Sequence, residues 1–117
     1  MGTIKIKRIY EEPSKDDGYR VLVDRLWPRG VSKADAKIDE WNKELAPSTD
    51  LRKWFDHQAE RFDEFSTLYR EEMLSKQNEL TRLMDLAQSK TITLLYGAKD
   101  PMMNQAIILQ ELLLSEI

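Results

Sequence analysis

The chain has 117 residues, 41% of them hydrophobic and 33% charged, and a formal net charge of −3 from 18 basic and 21 acidic side chains. That length suits one domain with one core, and the acidic balance argues against a protein that coats nucleic acid. There is no cysteine and a single histidine, which excludes disulfides, thiol catalysis and cysteine or multi-histidine metal sites.

The first element is Ile4–Tyr10. Ile4 and Ile6 face one way and Lys5 and Lys7 the other, the period of a strand. In that phase Arg8 falls on the apolar side, at the strand's end. A polar run with Pro13 and Gly18 reads as a loop. Arg20–Trp27 is the second predicted strand, and its apolar run through Val21, Leu22 and Val23 points to burial on both faces, as in a parallel sheet. Pro28 and Gly30 break it. Ser32 reads as the N-cap of a helix over 33–45 that turns Ala36, Trp41 and Leu45 toward the core. Pro47 stops that helix. Ser48 or Thr49 caps the next, with Asp50 in its first turn, where a carboxylate suits the dipole.

Phe62, Phe65, Tyr69 and Met73 then recur at helical spacing, and so do Leu80, Leu83, Met84 and Ala87 after a polar interruption. Thr91–Tyr96, β-branched and apolar, is the third strand, closed by Gly97. A turn containing Pro101 leads to a very apolar helix from about Asn104. Strands and helices alternate. The expectation is a single α/β domain over residues 1–117, with a small, mostly parallel sheet covered by helices. The N-terminal residues lack a signal-peptide core, and no run approaches the ~20 apolar residues of a membrane span. The expected location is cytoplasmic.

In parallel sheets, ligands bind beyond the C-terminal ends of the strands. The first strand ends at Arg8 and Tyr10. The second ends at Asp24, Arg25 and Trp27, with Arg29 just beyond. The third ends at Tyr96, Lys99 and Asp100. If the strands are parallel these groups share one place, and an anion, with phosphate foremost, is their natural complement. A second reading stays open: Asp24–Arg25 and Lys99–Asp100 as ion pairs that merely fix loops. His57 lies in a polar turn and is either a general base or a solvated cap. Asn104 is either an N-cap or an anion contact at a helix N-terminus. Trp27 and Trp54 either stack on a base or belong to the core. No dinucleotide fingerprint, P-loop, nucleophile elbow or zinc-protease motif occurs, and the residues name no reaction.

The runs "KRIYEEPSKDDGYRVLVDRLWPRG", "DEWNKELAPSTDLRKWF" and "TLLYGAKD", with the asparagine that follows, resemble the YeaO-like proteins. These are a bacterial branch of domain-of-unknown-function family 488. The resemblance spans about Ile4 to Leu112, and it implies an α/β fold but no function. It carries over onto Arg8, Asp24, Arg25, Trp27, Arg29, His57, Lys99, Asp100 and Asn104, among others. The segment "PMMNQA" departs from the family pattern, which has charged or polar residues before the asparagine. Some members are labelled MarR-type regulators; this chain has no winged-helix pattern and no basic recognition helix.

The functional expectation is a protein that binds or processes a phosphate-bearing small molecule or nucleotide. The alternatives are a nucleic-acid-processing or regulatory protein that engages one nucleotide, and an interaction protein with no ligand. The anion would be held by Arg8, Arg25, Arg29, Tyr96, Lys99 and Asn104. Asp24, Asp100 and His57 are the candidates for catalysis, with a magnesium-ligand role also open to the aspartates. No resident cofactor or metal, no membrane and no general duplex-DNA binding are expected. Oligomeric state is not legible.

Overall fold

Among the described residues four short strands pair side by side, every pair parallel. A computed structural model describes residues 3–115. The strands are β1 (Ile4–Arg8), β2 (Tyr19–Leu22), β3 (Glu40–Trp41) and β4 (Ile92–Tyr96), in the spatial order β1-β4-β2-β3. β4 is therefore central, with Arg8 level with Tyr96 and Leu22 level with Leu95. Its five residues are all buried, which accounts for its unbroken apolar sequence.

The two faces are covered differently. Ile4, Val21, Val23, Ile92, Leu94 and Tyr96 pack under the helices α2 (Thr49–Phe55), α3 (Phe62–Met73), α4 (Gln77–Ala87) and α5 (Gln105–Ser115). Phe65, Tyr69 and Met73 are the buried stripe of α3, and Leu80, Leu83 and Ala87 that of α4, as their spacing dictates. On the other face, Leu22 and Leu95 meet Ile9 and Ala36, with Trp27, Val31, Ile38 and Trp41 around them. Ser48 is the N-cap of α2: its hydroxyl accepts from Leu51 N at 3.1 Å.

One predicted helix is not there. Over 33–45 the chain forms only one turn, α1 (Lys33–Ala36), then returns to the sheet as β3. Ser32 caps that turn as expected. The cause of its early end is Arg20, a buried cation at the start of β2. Its guanidinium donates to Ala36 O at 2.8 Å and Lys37 O at 3.1 Å, taking carbonyls that a continuing helix would use. Lys37 turns left-handed at φ 47°, and Asp39 then exchanges hydrogen bonds with the Arg20 backbone. Trp41 consequently lies in a strand. The other strand ends also shift. The second strand stops at Leu22, with one further ladder bond from Val23 N to Leu95 O, and Asp24–Trp27 leave the sheet. The first stops at Arg8, although Ile9 N still reaches Tyr96 O.

Neighbouring strands β2 and β4 send their chains to opposite faces. The segment after β2 covers the Leu22–Leu95 face, and α5 after β4 packs against β1, β4 and α3. The chain parts above their C-terminal ends, and a crevice forms there.

Candidate functional site: a strand-end cleft

A cavity of about 640 Å³ occupies that crevice. Arg8, Asp24, Arg25, Arg29, Lys99 and Asp100 all line it, and His57 and Asn104 belong to its wall. Tyr96 stands apart. Its side chain is 3% exposed and packs in the core beneath the helices. Burial, with help from Glu11, raises its phenol above the ordinary value.

The cleft is built around Asp24. One carboxylate oxygen accepts from Gly97 N at 2.8 Å, and the other from the Gln105 amide. The same Gln105 amide lies 3.3 Å from Val23 O. The Asp24 carbonyl accepts from the Trp41 indole at 2.8 Å. The carboxylate is thus pinned between the end of β4, the start of α5 and the exit of β2. Burial raises its pKa above the usual carboxylate value. The Gly97 and Gln105 donors oppose that rise, as do the charges of His57 and Arg52.

The cations are held by carbonyls rather than by carboxylates. Arg8 donates through Nε to Ala98 O at 2.9 Å and lies over the Tyr10 ring at 4.4 Å. Arg25 donates through Nε to Pro47 O at 2.8 Å and through Nη2 to Lys43 O at 3.4 Å. Arg29 and Lys99 are exposed, and Arg29 O accepts from the Tyr10 hydroxyl. Among the described residues the ion pairs lie elsewhere: Lys7 and Arg20 with Asp17, Arg70 with Glu111, Lys76 with Glu44, and Arg82 with Glu40 and Glu79. The closed pairs Asp24–Arg25 and Lys99–Asp100, open as a reading of the sequence, are not formed. The cleft keeps its positive charge.

The remaining expected residues have local duties as well. One oxygen of Asp100 accepts from Met102 N and Met103 N, at 2.8 and 3.2 Å, and shapes the turn before α5. Buried Asn104 accepts from Ile107 N at 3.1 Å and donates to Asp100 O, so it caps α5. His57 is exposed, with φ 54°, directly after Asp56 at φ 47°. Two successive non-glycine residues in the left-handed region store strain at the cleft wall. Trp27 packs edge-on against Trp41 and donates to Val31 O, whereas Trp54 is a surface residue beneath Arg61.

Among the cleft residues that the sequence did not point to are Arg52, Gly97 and Gln105. Arg52 precedes Phe55 by three positions, so a helix puts both on one side, and that spacing was visible. Its Nε is the one buried side-chain nitrogen or oxygen without a hydrogen-bond partner among the described residues. Nothing local marks Gln105, since it pairs with a residue 81 positions away. No cluster of three or more acidic or histidine side chains fit to hold a metal occurs among the described residues. No described helix is long and apolar enough to cross a membrane.

A parallel α/β domain with a cationic strand-end cleft is the class these features define. The chain belongs to the YeaO-like branch of domain-of-unknown-function family 488: the family model described as "Inactive DUF488-N3 subclade" matches residues 3–117. It is 45% identical over 112 residues to the uncharacterized protein YeaO of Escherichia coli K12, covering 96% of this chain and 97% of that one. It is 41% identical over 110 residues to an uncharacterized protein of Mycobacterium bovis, covering 94% and 92%. No solved structure matches the chain.

Proposed function

We propose that this protein binds a phosphate-bearing small molecule or nucleotide in the strand-end cleft. The observation that carries the reading is the set of cations around one cavity, Arg8, Arg25, Arg29, Arg52 and Lys99, with no carboxylate among the described residues in ion-pair contact with any of them. Guanidinium groups at a cleft with no ion-pair partner suit an anion. Arg8 and Arg25 are fixed through Nε, which leaves further N–H donors for the ligand, and attachment at strand ends keeps them rigid.

Binding without turnover is favoured over catalysis. Both oxygens of Asp24 are engaged by the scaffold, one oxygen of Asp100 holds its own turn, and the His57 side chain has no hydrogen-bonded partner among the described residues to orient it. A general base needs a free, oriented lone pair. The family name, which calls this subclade inactive, agrees with that assignment. The work of such a protein would then be done in the cytoplasm by sequestering or sensing its ligand.

A thermal-shift screen against phosphometabolites and nucleotides tests the reading, because a ligand that binds only the folded state raises Tm by mass action. A hit whose shift is lost in Arg8→Gln is the expected result. A flat screen at millimolar ligand would overturn the proposal.

A further inference from the structure

Two features of the cleft do not follow from anion binding alone. The first is Arg52. Its side chain lines the cleft and its Nε is buried with no acceptor among the described residues, whereas buried N–H groups in native proteins are nearly always paired. The other half-buried guanidiniums of the cleft have carbonyls for their Nε atoms. The second feature is the mouth. Tyr10 is 44% exposed, Leu26 58% and Met103 36%, and all three line the opening. Met102, beside Met103, is 70% exposed. Single exposed apolar residues are ordinary, but three large ones lining one opening make a patch that some apolar surface should cover. Behind them stand Phe55 and Phe65, stacked with ring centroids 4.3 Å apart.

We infer that the ligand is an anion carried on a flat apolar body, that Arg52 Nε donates to its charged group, and that Leu26 and Met103 cover its ring. This rests on the anion-binding reading above and narrows it. Inorganic phosphate or a sugar phosphate satisfies the cations but leaves the mouth wet. An aromatic ring fills both requirements. It removes the exposed side chains from water, and it can lie against the flat Arg8–Tyr10 stack. Methionine suits such a contact because its unbranched thioether adapts to the ring placed against it. The Asp24 carboxylate feels the charge of Arg52 but makes no ion pair with it, and is oriented instead by Gly97 N and the Gln105 amide.

The test is calorimetric titration of the full chain with phenyl phosphate, glucose 6-phosphate and inorganic phosphate. Phenyl phosphate is expected to bind at least about tenfold more tightly than glucose 6-phosphate, the scale of burying one aromatic ring. Leu26→Ser should narrow that gap. Arg52→Lys, which keeps the charge and removes the Nε–H, should weaken phenyl phosphate by about tenfold with an unchanged melting curve. Equal affinity for phenyl phosphate and glucose 6-phosphate would overturn the apolar body while leaving the anion site standing. Undiminished binding in Arg52→Lys would overturn the role of Arg52. Failure of all three probes would overturn this inference together with the reading it rests on.

Discussion

A Cβ built on Gly97 would lie 2.9 Å from the Asp24 carboxylate, which Gly97 N itself holds at 2.8 Å. Glycine suits this position, since a Cβ would come too close to a carboxylate that Gly97 N and Gln105 hold in place. Gly97→Ala should push Asp24 off its donor. The expected loss is about 1–3 kcal/mol, the range for overpacking or for a buried hydrogen bond left unmade. Urea denaturation measures it, and a change within error would mean that Asp24 is not fixed in this way.

Arg25 is a second test of how the cleft is held. Had it been buried against Asp24, its removal would cost roughly 3–5 kcal/mol. It clips two carbonyls instead, Pro47 O and Lys43 O. Arg25→Ala should therefore cost about 1–3 kcal/mol. The same denaturation experiment distinguishes the two values.

The costly ion pair lies elsewhere. Asp17 is 4% exposed and accepts from Lys7 and Arg20, and its carbonyl accepts from Thr93 at 2.7 Å. Asp17→Asn leaves the buried Arg20 guanidinium without its charge partner. A loss of about 3–5 kcal/mol is expected, together with loosening of the α1–β3 return that Arg20 stabilises. Hydrogen exchange at Asp39 N and Asn42 N, which donate to Arg20 O and Leu22 O, reports that loosening.

Acid should destabilise the fold. Burial works to raise Asp17 and Glu40, but hydrogen bonds from Ser14 N, Lys7 and Arg20 in the first case, and from Arg82, Tyr19 and Asn42 in the second, outweigh it and hold both below the usual carboxylate range. Arg82 and Asn42 hold Glu79 low as well. As pH falls through the ordinary value near 4, the unfolded chain takes up these protons first. The stability they supply is complete above that value and is lost as pH falls through their lowered folded values. Asp24, raised by burial, acts in the opposite sense: its contribution is present in acid and lost as pH rises. Glu44 is held low too, by its hydrogen bond from Lys76, so four lowered carboxylates stand against one raised, and the midpoint for urea should drop on acidification below about pH 4. Arg82→Gln, which frees Glu40 and Glu79, should flatten that limb. An unchanged pH profile in the variant would refute the assignment.

General duplex-DNA binding is not expected at physiological salt. The net charge is −3, and phosphate-backbone affinity needs a basic stripe rather than one cleft. A fluorescence titration showing tight, length-dependent duplex binding would contradict this.

The sequence by itself determined the parallel α/β class, the buried faces of α3 and α4 and a cap at Ser48 or Thr49, of which the structure uses Ser48. Period, β-branching and capping chemistry act within a few residues, so they can be read locally. It also brought Arg8, Asp24, Arg25 and Lys99 toward one place, because parallel strands put their C-terminal ends together and each charge closes an apolar run. What only the tertiary structure decided was long-range pairing. The chain over 33–45 has a helical pattern, yet Arg20, more than a dozen residues upstream, takes its carbonyls and pulls Glu40–Trp41 into the sheet. Asp24 is oriented by Gly97 and Gln105, over 70 positions away. Tyr96 ends a strand beside the cleft but turns inward to the core, since alternate strand residues face opposite sides. The spacing of Arg52 and Phe55 puts both on one side of a helix, but the unpaired Arg52 Nε is not legible, because an orphan donor is defined by what fails to meet it, and that is known only once every neighbour is in place.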